Sequence, residues 1–161
     1  MASSSLSYLL YHIIFSVKQR QWVIADSLQP RVHSYIAGII KNIGGTPIIV
    51  GGQRDHIHIL CLLPKHISIS ETMKLIKGRS SYWYNHEVHD QKTMLKWQDG
   101  YDVLTVSPDN LEKVKNYILH QEEHHRTQSF AEERAVIEDK LSEWIGMGAG
   151  AEDSLSEEGS G

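Results

Sequence analysis

The spacing of the apolar residues changes along the chain, and that sequence of periods constrains the fold more than any other feature. From Leu28 to Ile43, apolar residues (Leu28, Val32, Tyr35, Ile36, Ile39, Ile40, Ile43) recur at helical spacing. Pro30 falls in the first turn, where it is tolerated, and Gly44-Gly45 supplies a stop, so a helix is expected here. On either side the period shortens. Leu9–Val17 is almost continuously aromatic, β-branched or aliphatic, as in a strand buried on both faces. Thr46–Val50 and His56–Leu63 read as two strands joined by the polar link 51–55, which suits a hairpin.

The second half repeats the alternation. Ser68-Ile-Ser-Glu71 has the spacing of a capping box, and a second helix is expected to about Asn85, with Met73, Ile76 and Trp83 facing inward. Tyr101–Val106 alternates as a fourth strand. Ser107-Pro108 opens a third helix through about Arg126, and Ser129 with Glu132 opens a fourth carrying Phe130, Ile137, Leu141 and Trp144. The order β-α-β-β-α-β followed by two helices is that of an α+β, ferredoxin-like fold: an antiparallel sheet with its two helices on one face, plus C-terminal helices.

Composition narrows what such a fold can do. The net charge of −4 argues against a polyanion partner, but Ala151–Gly161 holds four acids and no Lys or Arg, so residues 1–150 carry 16 charges of each sign. One domain over residues 1–150 and a disordered acidic tail over 151–161 are expected. The single Cys61 cannot form an internal disulfide, and a reducing cytoplasm is the expected compartment. The apolar run after MASSSLSY has no preceding basic residue and is shorter than the roughly 20 residues a bilayer span needs, so neither signal peptide nor anchor is expected.

Two constellations can carry chemistry. In Asp55-His-Ile-His-Ile-Leu60, strand geometry puts His56 and His58 on one face with Cα atoms roughly 6.5–7 Å apart, within reach of one metal ion. The alternative is two surface or hydrogen-bonded histidines; with ten His in the chain, one H-x-H arises readily by chance. In the third helix, Leu111, Val114 and Ile118 form the apolar stripe, while Tyr117 and Gln121, four apart, stack on a neighbouring one. That places Tyr117 at a cleft, or leaves it as a half-buried packing residue.

Together, the HIH strand and the later Y-x-x-x-Q helix resemble the HUH superfamily of single-strand DNA endonucleases. More narrowly they resemble the IS200-like single-tyrosine transposases of bacterial insertion sequences and the REP-associated tyrosine transposases. The segments YHIIFSVKQR, GGQRDHIHILCLLP, IKGRSS, DGYDVLTVS and NYILHQEEHHR carry the resemblance. It implies that His56, His58 and Gln121 are ligands of a divalent metal, Mg²⁺ or Mn²⁺, although the donor types also accept Zn²⁺. It implies that Tyr117 is the nucleophile, forming a 5′-phosphotyrosine with single-stranded DNA that bears hairpin ends. It further implies a homodimer with active sites shared between subunits, in the bacterial cytoplasm and at the nucleoid when bound to DNA, with no membrane partner. No nucleotide cofactor is expected, and the chain contains no G-x-x-x-x-G-K-[ST] loop.

Tyrosine titrates near pH 10 when unperturbed, so a metal or base must help it ionise; His124 is the candidate base, and His124 and His125 are otherwise exposed polar residues. Lys74, Lys77 and Arg79, interleaved with Tyr82, Trp83 and Tyr84, form the cation–aromatic mixture used to bind single strands. Lys18, Arg20 and Arg54 sit near strand ends beside the histidines, as phosphate contacts or as solvated surface residues. A domesticated hairpin-binding or nicking protein without transposition is the alternative function, and a metal-binding regulatory domain a third.

Overall fold

The computed structural model describes residues 5–120 and, further along, residues 132, 134, 135, 138–143 and 145. The chain divides into two compact units, Met1–Glu122 and Glu123–Gly161. In the first unit the order is β1 (Leu10–Ser16), α1 (Gln29–Asn42), β2 (Thr46–Gly52), β3 (His56–Leu62), α2 (Ile69–Glu87), β4 (Asp102–Thr105) and α3 (Leu111–Leu119). The strands form one antiparallel sheet in the order β2-β3-β1-β4. This is the expected mixed α+β, ferredoxin-like arrangement.

Strand alternation sorts the side chains onto two faces. On one, Ile13, Phe15 and Val17 join Ile57, Ile59 and Cys61 under α1 and α2, which contribute Val32, Ile36, Ile40, Met73, Ile76 and Tyr84. On the other, Leu10 and Leu60 meet Ile118 of α3, with Ile49, Leu62, Leu111 and Val114 around them. β1 and β3 are therefore buried on both sides, which is why their sequences are so continuously apolar. Each fully buried aliphatic chain contributes about 1.5–3 kcal/mol. The larger α1–α2 cluster thus dominates stability, and α3 is held by the smaller one.

Local signals act as their sequences suggest. Gly44, at φ +88°, closes α1, and its N–H donates to the Lys41 carbonyl. The Ser68 hydroxyl accepts the Glu71 N–H at 3.1 Å and caps α2. Residues 96–98 extend the sheet edge: Lys18 N–H reaches the Lys96 carbonyl, Gln98 N–H reaches that of Ser16, and Trp97 packs edge-on to Phe15. The third helix begins with a 3₁₀ turn, Pro108–Asn110, before α3 proper.

Residues 121–131 lie outside the described ones, and with them Gln121, His124, His125, Arg126 and the expected start of the fourth helix. The 151–161 tail also lies outside them. In the second unit the described residues are helical, with an Arg134–Glu138 pair one turn apart at 3.0 Å. No helix among the described residues is long and apolar enough to cross a membrane.

Candidate active site

Register assembles the site on the α3 side of the sheet. His58 pairs opposite Ile14 and His12 opposite Leu60, so His12 and His58 are diagonal neighbours on one face, and His56 sits at the strand end opposite Ser16. All three histidines are buried. The rings of His56 and His58 lie 5.1 Å apart, centroid to centroid, and those of His12 and His58 are also 5.1 Å apart. Tyr117, half-buried on α3, presents an edge-on ring 5.9 Å from His58 and 6.2 Å from His12. Tyr117 and the HIH strand thus come together within a single chain.

The hydrogen bonds of the two HIH rings bear on whether they fit a metal. His56 Nδ1–H donates to Asp55 Oδ1 at 2.7 Å, which puts the ring's lone pair on Nε2. Burial pushes the Asp55 carboxyl up, but its hydrogen bond with His56 and the Arg20 guanidinium, 3.4 Å away, outweigh burial and hold it below the usual range. His58 Nδ1 is 2.9 Å from His12 Nε2. Each imidazole thus has Nδ1 engaged by a neighbouring side chain, the arrangement in which histidine ligates through Nε2. Among the described residues, no three His, Cys, Asp or Glu are grouped to hold an ion by themselves. The two Nε2 atoms alone leave such a site to be completed by a further donor.

The cations are placed less uniformly. At the His56 end, a turn with Gln19 and Arg20 both in the left-handed region (φ 57° and 54°) brings Arg20 to Asp55, and Lys18 is exposed beside it. Arg54 pairs with Asp26 and lies 5.6 Å over the ring of Trp22, which is 75% exposed. Lys74 and Arg79 are exposed on α2, across the sheet from the histidines. The Lys77 ammonium instead donates to the carbonyls of Gln98, Asp99 and Gly100 at 2.7, 3.1 and 2.7 Å, so it fastens that loop. Of the interleaved aromatics, Tyr84 is core, Trp83 stacks on Tyr35 at 4.3 Å and Tyr82 is exposed against His86.

Sequence reasoning misses His12, Asp55 as a partner of His56, and Trp22. The available signals were a lone histidine in an otherwise apolar strand, an acid directly before the H-x-H, and an unpatterned Trp after a basic turn.

The family model described as "Transposase IS200 like" matches residues 5–121. The transposase for insertion sequence element IS200 of Salmonella typhimurium is 30% identical over 115 residues, covering 69% of this chain and 75% of that one. The ISDra2 transposase TnpA of Deinococcus radiodurans is 26% identical over 117 residues, covering 70% and 84%. Among solved structures, a candidate transposase from Deinococcus radiodurans superposes with a TM-score of 0.59 at 23% identity, over 75% of this chain and 96% of that one. A REP-associated tyrosine transposase bound to a REP hairpin gives 0.57 at 12% identity, over 78% and 74%. With an antiparallel sheet that brings Tyr117 to its own H-x-H strand, and a family match spanning most of its length, the chain belongs to the IS200-like transposases, enzymes that cleave DNA.

Proposed function

We propose that this transposase cuts and rejoins single-stranded DNA through Tyr117, at a divalent metal held by His56, His58 and Gln121. The observation that carries the reading is the edge-on placement of Tyr117 5.9 Å from His58, on the same face of the sheet. The Tyr117 hydroxyl gives up its proton to solvent and its oxygen attacks the scissile phosphorus, forming a Tyr–O–P bond as the bond to the 3′ oxygen breaks. The 3′ oxygen takes a proton from solvent and leaves as a free 3′-OH, with the 5′ phosphate retained on the protein. Attack by a 3′-OH on that phosphotyrosine reverses the step and joins strands, so the bond energy is stored covalently and no nucleotide is consumed. Mg²⁺ or Mn²⁺, when bound, polarises the phosphate and neutralises charge as it develops.

The substrate is single-stranded DNA flanked by hairpins, a reading supported by the fold shared with the hairpin-bound REP-associated protein. Lys18, Arg20 and Arg54 supply phosphate contacts beside His56, and exposed Trp22 offers a ring on which a base can stack. Lys74 and Arg79, across the sheet, serve DNA outside the cleavage site. The protein acts as a homodimer; the proximity of Tyr117 to its own chain's His58 supports a site assembled in cis over one shared between subunits.

The test is cleavage of a labelled hairpin-bearing single strand with and without Mn²⁺. Cleavage is expected to require the ion and to fall to background in His56→Ala and His58→Ala. Undiminished cleavage by either variant would remove that residue from the metal site.

A further inference from the structure

His12 is the third buried histidine of the site, and no part of the proposed ligand set uses it. Its Nε2 lies 2.9 Å from His58 Nδ1, and the two rings stack 5.1 Å apart with 27° between their planes. We propose that His12 is a positioning residue that fixes His58 as its Nδ1–H tautomer, so that the His58 Nε2 lone pair is presented to the metal. This inference rests on the proposed metal site.

A neutral imidazole carries one N–H and one lone pair, so two neutral rings joined by a single N–H···N bond have only two arrangements. If His12 donates, the proton on His58 is at Nε2, and that nitrogen cannot bind a cation. If His58 donates, Nε2 carries the lone pair. His12 is buried against His58 at hydrogen-bond distance, so as a neutral ring it can serve as the acceptor, with its own proton on Nδ1.

His12 thus does for His58 what the Asp55 carboxylate does for His56. The difference in charge fits the surroundings. His12 also stands 6.2 Å from the Tyr117 ring, and a second carboxylate there would disfavour both a phenolate and an incoming phosphate. A neutral acceptor orients the ligand without that repulsion.

The experiment titrates the full chain with Mn²⁺ alone, without DNA, by calorimetry, and reads imidazole tautomers by ¹⁵N NMR with Zn²⁺ as a diamagnetic substitute. His12→Phe keeps the ring shape without an acceptor and is expected to weaken Mn²⁺ binding by about 10–100-fold. His12→Gln places an amide oxygen near the lost nitrogen and is expected to restore most of the affinity. In the Zn²⁺-loaded wild type, His58 Nδ1 is expected to be protonated. Wild-type affinity in His12→Phe, or a proton on His58 Nε2 in the loaded protein, would overturn the role of His12 while leaving the metal site standing. A wild type that binds neither ion would overturn both. If His12→Phe fails to fold, the wild-type tautomer alone decides.

Discussion

At the scale of single residues, His33 shows how a buried ring can set a pH limit. It lines a cavity of about 490 Å³ with Asp26, Gln29 and Gly51, and its Nε2 has no hydrogen-bond partner among the described residues. Burial holds its ring down to about 4 from an ordinary value of 6.5. The charged groups nearby are Asp26, whose carboxyl the Arg54 hydrogen bond holds below its usual range, and Arg54 itself. Because the folded-state value is depressed, the unfolded chain binds the extra proton between these limits. The stability contribution is fully present above about pH 6.5 and is lost as pH falls towards 4, by at most about 3 kcal/mol. His33→Gln is expected to flatten the fall in thermal midpoint between pH 7 and 4.5; an unchanged slope would contradict the assignment. His12 contributes with the same sign in both proteins, so only the difference is read.

Trp22 gives a second residue-scale expectation. Loss of its ring should weaken single-strand binding by about 1–3 kcal/mol, the size of one base–aromatic stack. Equal affinities of Trp22→Ala and wild type for an oligonucleotide would exclude stacking there. Neither Trp22 nor His12 could be assigned from sequence, for a shared reason: the partner that gives each its meaning is distant in the chain. His58 lies 46 residues from His12, and only the antiparallel register makes them neighbours. That His56 and His58 share a face is legible because strand periodicity puts residues two apart together; their role as ligands comes from the family resemblance.

At the scale of elements, α3 is the piece whose seating decides whether Tyr117 reaches its neighbours. It rests across β2 and β3, and Gly51 is where the two backbones come closest: a Cβ there would lie 2.8 Å from Ile118 Cγ2 and 3.2 Å from the Ile118 carbonyl oxygen. Gly51→Ala must therefore push on α3 at Ile118, the neighbour of Tyr117. It is expected to cost about 1–3 kcal/mol in chemical denaturation and to reduce DNA cleavage more than DNA binding. Full cleavage activity would show that the seating tolerates the added Cβ. Element order was legible because apolar periods of two and of 3.6 are distinct. Which face α3 covers was not, because an amphipathic stripe announces that a helix packs and leaves its partner unstated. Lys77 and Arg54 show the same limit for charges: the sequence marks both as candidate phosphate contacts and is silent on their partners within the chain, which are backbone carbonyls for Lys77 and Asp26 for Arg54.

At the scale of the whole molecule, charge gives little general attraction to DNA. Residues 1–150 are electrically balanced, and two of the cations nearest the histidines already face carboxylates. Binding that drew mainly on phosphate neutralisation would need a basic excess. On the proposed reading, recognition of folded single strands then falls to shape and stacking, with the chemistry on the α3 face of the sheet. The most direct test of that chemistry is recovery of a denaturation-resistant protein–DNA adduct after incubation with hairpin-bearing single-stranded DNA and Mn²⁺. The expected result is an adduct mapping to Tyr117 in the wild type and none in Tyr117→Phe, with hairpin binding nearly unchanged. Undiminished adduct in Tyr117→Phe would contradict the assignment of Tyr117 as the nucleophile.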